Sequence, residues 1–199
     1  MMDSPVILAA VEGIVDEAVV SRLIREAGGL PGPIHGKAGK SRILEKLAGY
    51  NAAAKRQSWV VLVDLDREGE CVPEVRNRWL PKASRNMCFR IVVHEIESWL
   101  MADRERFARF LCVPLERVPP DPESIRDPKW KLLWLAKRST SRNIREDILP
   151  SRSSGRAVGP LYAPRLIEFA RDRWRPEVAA RRSESLQRAR ECIERLVRA

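Results

Sequence analysis

Three short apolar runs, at 5–11, 59–63 and 88–93, break up the first half of the chain, and each gives way to polar residues with helical spacing. Five to seven residues rich in Val, Ile, Phe and Trp are too short for an ordinary helix and read as buried strands. Between the first two runs, Val19, Val20, Leu23, Ile24 and Ala27 recur on one helical face. Asp16 and Glu17 stand in that helix's first turn and Gly28-Gly29 at its stop. Pro31 to His35 supplies a short strand or a connector. A second helix follows, with Ile43, Leu44, Leu47, Asn51 and Ala54 on its inner face and Ser41 as its expected cap. A third, over 72–80, closes at Pro81. After the last run, Ile96, Trp99, Leu100, Phe107, Phe110 and Leu111 keep helical spacing, broken at Asp103, which fits a helix cap.

Strands and helices in strict alternation imply a doubly wound, parallel four-stranded sheet of the α/β class. In such sheets ligands bind beyond the carboxyl ends of the strands. Acids stand at those ends: Glu12 after the first run, Asp64 and Asp66 after the second, Glu95 and Glu97 after the third. Asp64 and Asp66 alternate on an extended segment, so they face one point roughly 7 Å apart. Their mutual repulsion calls for a positive partner, and Mg²⁺ is the usual one for an all-oxygen site. The plain alternative has Asp64 capping a turn and Asp66 in solvent. Of Glu95 and Glu97, the second is favoured, because it falls in the first turn of a helix.

The G-K-A-G-K-S stretch at 36–41 imitates a phosphate-binding loop. However, Ile34 stands where that pattern needs a glycine, so nucleotide binding of that kind is rejected. Lys37 and Lys40 remain candidates for a phosphate at the helix N-terminus, or for solvated lysines.

Composition narrows the class. Of the 199 residues, 44% are hydrophobic and 32% charged, as in a globular protein. No run is long enough to span a bilayer and no signal-peptide layout opens the chain, so a cytoplasmic protein without a membrane partner is expected. Cys71, Cys88, Cys112 and Cys192 form no zinc or disulfide pattern. The net charge of +10 is uneven: residues 1–122 hold 18 Lys and Arg against 17 Asp and Glu, while 123–199 hold 19 against 10. A basic part joined to a neutral part with clustered acids suggests a polyanion-binding surface beside a metal site.

The Pro-rich run 113–122 reads as a hinge, dividing the chain at 1–113 and 114–199. Beyond it, Asp127-Pro128 should cap a helix containing Trp130, Leu133 and Trp134. Another helix carries Leu166, Ile167 and Ala170 inward, and a last one Leu186, Ala189, Ile193 and Leu196. The tryptophans are expected in the core. Two loops, R-S-T-S-R-N at 138–143 and S-R-S-S-G-R at 151–156, offer Arg142, Arg152 and Arg156 for phosphate contacts.

V-E-G at 11–13 and Asp64-Leu65-Asp66 resemble the TOPRIM fold, the catalytic module of topoisomerases, bacterial primases and several nucleases. V-E-G-x-x-D-E, V-D-L-D, E-I-E-S-W-L-M-A-D and the late Y-x-P, W-R-P and S-x-S-L-x-R motifs are similar to those of an uncharacterised family of small bacterial TOPRIM-like proteins. In the last three, the residues are Tyr162, Pro164, Trp174, Pro176, Ser183, Ser185, Leu186 and Arg188. The resemblance implies Mg²⁺, or Mn²⁺, at Asp64 and Asp66, and Glu12 as a general acid/base or second metal ligand. Glu97 would be the further carboxylate of the two-metal overcoming-lysogenisation-defect nucleases. The expected activity is metal-dependent hydrolysis of DNA or RNA, with phage defence as the implied setting. The alternative is a non-catalytic nucleic-acid-binding or effector subunit working with an ATPase encoded elsewhere. Cleavage of two strands would favour a homodimer.

Overall fold

The computed structural model describes residues 4–65, 71–151 and 155–199. The first half alternates as the hydrophobic runs predict: β1 (Val6–Val11), α1 (Ile14–Glu26), β2 (Leu30–Gly36), α2 (Lys40–Ala53), β3 (Ser58–Asp64), α3 (Val72–Trp79) and β4 (Met87–Val92). Helices α4 (Ile96–Ala102) and α5 (Arg104–Leu111) follow. The remainder holds α6 (Pro128–Ala136), α7 (Arg142–Ile148), α8 (Tyr162–Glu168), a π turn over Phe169–Arg173, the short α9 (Pro176–Ala179) and α10 (Glu184–Arg198).

All four strands are parallel, in the order β2-β1-β3-β4. The alternation of side chains across a strand gives the sheet two buried faces. Ile7, Ala9, Val60, Leu62, Cys88 and Val92 pack under α1, α4 and the C-terminal helices. Val61, Val63, Phe89 and Ile91 pack with Ile43, Leu47 and Val75 of α2 and α3. The first core continues without interruption into Leu132, Ile148, Leu166, Trp174, Leu186 and Ile193, so the helical extension shares it.

Strand β2 tolerates Pro31 and Pro33 because it lies at an edge, where missing N–H donors break no ladder. Gly36 ends it at φ +92°, where a Cβ would stand 2.3 Å from the Val11 carbonyl oxygen. The next two turns fold back onto β1: the Lys37 N–H donates to Val11 O (2.8 Å) and the Gly39 N–H to Glu12 O (3.2 Å). The lysine-rich 36–41 stretch therefore wraps the end of β1.

Several local expectations need correction. Gly39 occupies the cap of α2, and Ser41 lies inside the helix, because those backbone ties to β1 set the entry of the chain. Asp103 does separate α4 from α5, but its buried carboxylate makes no cap bond; it accepts from the Arg175 guanidinium instead, at 2.6 and 3.0 Å. Asp127 does cap α6, accepting from the Trp130 N–H at 2.8 Å. That helix buries Leu132, Leu135 and Ala136, leaving Trp130 57% exposed. Trp134 is half-buried and flanked by Lys131 Nζ and the Arg138 guanidinium, 4.1 and 3.5 Å from its ring centroid, so cations cover it. Trp99 and Trp174 are fully buried, as expected. Among the described residues, no helix is long and apolar enough to cross a membrane.

Candidate functional site

The parallel sheet delivers the strand-end acids to one opening. A cavity of about 390 Å³ is lined by Glu12, Asp16, Asp64, Glu95 and Glu97, with Gly13, Gly39, Lys129 and Tyr162 among its other walls. Glu12 follows β1, Asp64 ends β3, and Glu95 and Glu97 follow β4, so adjacent strands β1, β3 and β4 all contribute. The Asp64 N–H donates to Glu12 Oε1 at 2.8 Å, which joins the ends of β1 and β3 through the acid itself.

In the sequence Asp16 is a first-turn helix acid, which suits a helix dipole at any protein surface. Here it is buried, 6% exposed, and turned into the cavity. Its Oδ2 lies against the helix entrance, 3.0 Å from where a Cβ on Gly13 would be. Its Oδ1 is buried without a hydrogen-bond partner. Burial above all, then the charges of Glu97 and Glu12, push this carboxyl up to about 7, against the pull of backbone N–H groups. The sequence signals for it are its place in the V-E-G-x-x-D-E motif and its spacing, four residues after Glu12 across a strand-to-helix turn.

Glu97 is 5% exposed, and the Tyr162 hydroxyl donates to its Oε1 at 2.7 Å. Burial and the Glu97 charge push the Tyr162 hydroxyl far up, so it stays protonated and can act only as donor to that carboxylate. Glu95 accepts from the Lys129 N–H at 2.8 Å, and burial raises its carboxyl despite that bond. Both candidate glutamates thus face the cavity, one anchored by α8 and the other by the start of α6.

The basic candidates are placed differently. Lys40 Nζ donates to the Asp64 carbonyl oxygen at 3.3 Å and lies 5.6 Å from the Trp79 ring centroid. Lys37, close by, pairs with Glu17 at 3.0 Å. Arg142 belongs to α7, not to a loop, and pairs with Glu146 at 2.7 Å on an exposed face. The reason is Ser141, whose hydroxyl caps α7 and starts the helix inside the expected loop. Arg156 is exposed beside a separate surface hollow with Arg145, Leu149 and Pro150. Asp66 and Arg152 lie outside the described residues.

The donor set is all oxygen, the chemistry of a hard divalent cation. Its partly filled valences point the same way, because Asp16 Oδ1 has no proton donor to satisfy it. Among the described residues, however, no three acidic, His or Cys side chains already converge into a cation cage. Glu12 and Glu97 each spend an oxygen on a protein donor. No protein-family model, curated protein or solved structure matches this chain, so the site rests on its own geometry.

Proposed function

We propose that this cavity holds a divalent cation, Mg²⁺ or Mn²⁺, and hydrolyses phosphodiester bonds of nucleic acid in a TOPRIM-like manner. The observation that carries the reading is the burial of Asp16 beside Glu12, Asp64 and Glu97 with an oxygen left unpartnered. Gathering carboxylates costs stability unless something positive joins them. Glu12, Asp16, Asp64 and Glu97 would hold the cation, with Asp66 added from the sequence pattern. When bound, the cation supplies positive charge to the phosphoryl oxygens and to the leaving oxygen.

The protein's own groups do the rest. Tyr162 fixes Glu97 by its hydrogen bond, and the Asp64 N–H fixes Glu12. Asp16, poised near neutrality, keeps a proton on its carboxyl in the cation-free protein and surrenders it as positive charge enters. Lys129, on the cavity wall, offers a cation to an approaching phosphate. The basic C-terminal third, with 19 Lys and Arg against 10 acids over 123–199, favours a polyanionic substrate.

A second reading has one observation in its favour. The absence of a ready cation cage among the described residues suits a nucleic-acid-binding subunit that acts only with an effector such as an ATPase. One experiment separates the two. Supercoiled plasmid, linear duplex, single-stranded DNA and structured RNA are incubated with Mg²⁺, Mn²⁺ or EDTA and either wild type, Asp64→Asn or Asp16→Asn. Metal-dependent cleavage lost in both variants supports hydrolysis; binding without cleavage in any condition supports the subunit.

A further inference from the structure

A second cavity, of about 470 Å³, opens between α3 and α10 over the outer edge of β4. It shares no lining residue with the acidic cavity. Three arginines from three elements enter it: Arg76 of α3, Arg90 of β4 and Arg188 of α10. The Nε atoms of Arg76 and Arg90 are buried with no acceptor. Among the described residues neither guanidinium has a carboxylate partner, although Arg90 also reaches the Cys192 thiol behind it.

The two acids on the wall do not offset them. Glu123 is consumed by the N-terminus of α10, accepting from Ser183 Oγ at 2.7 Å, the Glu184 N–H at 2.9 Å, and both the N–H and hydroxyl of Ser185. Glu184 is paired with Arg188 along the helix. Among the described residues the buried Nε atoms of Arg76 and Arg90 therefore lack an acceptor, and neither guanidinium has a carboxylate, an arrangement that an anion in the cavity would complete. Val72 and Pro73 of α3 and Ile91 and Val93 at the end of β4, the elements that carry Arg76 and Arg90, make up the apolar wall of the lining. Guanidinium donors and apolar side chains in one lining suit a phosphate ester carrying an organic group, and the volume falls in the range of small-molecule sites.

We infer that this cavity binds a nucleoside phosphate, with Arg76 and Arg90 donating to the phosphate and the apolar wall taking the nucleoside. The inference stands apart from the proposed hydrolysis, since it needs neither the acids nor a cation. The ligand is either a free mononucleotide or the terminal phosphate of a strand, and both present the same chemistry.

The test is calorimetric titration of the full chain in EDTA and low salt with AMP, adenosine, inorganic phosphate, and a short oligonucleotide bearing a 5′-phosphate or a 5′-hydroxyl. AMP should bind saturably and adenosine at least about tenfold more weakly. Arg76→Gln and Arg90→Gln should each weaken AMP roughly tenfold, with Arg90→Lys recovering part of the loss. Arg142→Gln, on a distant exposed helix, should change nothing. Because Arg76 lies on a surface helix, Arg76→Gln carries the test even if Arg90→Gln misfolds. Preference for the 5′-phosphorylated oligonucleotide, lost with Arg76, identifies a strand end; AMP binding alone identifies a free nucleotide. No saturable binding of any phosphate probe, or binding indifferent to both arginines, overturns the inference.

Discussion

Replacing Asp16 with asparagine should stabilise the cation-free protein, and the gain should depend on pH in a defined way. The Asp16 carboxyl is raised from 3.8 to about 7, chiefly by burial. The folded protein therefore binds a proton that the unfolded chain has already lost between those values. Stability is fully present below about pH 4 and is lost as pH rises toward 7, where the buried carboxyl must ionise. A rise of this size corresponds to about 4 kcal/mol at most. Asparagine keeps the shape without the charge, so the variant should match wild type only below about pH 4. By pH 8 it should exceed wild type by up to about 4 kcal/mol, read from urea unfolding in EDTA. Mg²⁺ should then restore wild type more than the variant, because only wild type gains a carboxylate ligand. A gain equal at every pH, or a loss at pH 8, would refute the burial argument.

Tyr162→Phe removes the hydrogen bond to buried Glu97 and should cost about 1–3 kcal/mol in urea unfolding; an unchanged midpoint would mean that water replaces the hydroxyl without loss. Asp103→Ala removes the fully buried acid that accepts from the Arg175 guanidinium and N–H, while Glu105 stays beside Arg175, so the expected loss is about 1–3 kcal/mol; an unchanged midpoint would show that the tie between α5 and α9 is dispensable. Native alkylation should modify the exposed Cys71 and Cys112 quickly and the buried Cys88 and Cys192 only in denaturant; four equally fast thiols would contradict the packing of α10 on β4. Gly36→Ala should abolish soluble folding or lower the melting point sharply, since the new Cβ meets the Val11 carbonyl at positive φ.

The sequence made the sheet legible where packing obeys a simple period. Strands β1, β3 and β4 are continuous apolar runs because both faces are covered, and α10 reads correctly because its buried stripe Leu186, Ala189, Ile193 and Leu196 faces one core. Strand β2 was ambiguous because an edge strand with two prolines obeys neither strand nor loop chemistry cleanly. The exposure of Trp130 escaped prediction, since side-chain size argues for burial while the register of α6 is set by Leu132 and Leu135. Of the site, Glu12 and Asp64 follow from strand ends alone, while the strand end leaves Glu95 and Glu97 as alternatives and both line the cavity. Asp16 does not follow in this way, because a first-turn acid has the same spacing whether it faces solvent or a cavity; only the packing of α1 decides which.

The packing of α1 also argues against a purely structural account of that cavity. A first-turn carboxylate left in water supports a helix by a few tenths of a kcal/mol to about 1 kcal/mol. Buried beside two other acids, the same group opposes folding at neutral pH by an amount several times larger, as its raised carboxyl records. A chain under selection for stability alone could shed that cost with one amide. Yet the neighbouring acids are held in place by dedicated donors: the Asp64 N–H for Glu12, the Tyr162 hydroxyl for Glu97 and the Lys129 N–H for Glu95. Donors from β3, α8 and α6 thus converge on the carboxylates around one cavity. Strain placed where several elements aim their polar groups at one cavity is what the proposed cation site would require, and cation binding that offsets it is the outcome that the proposal predicts.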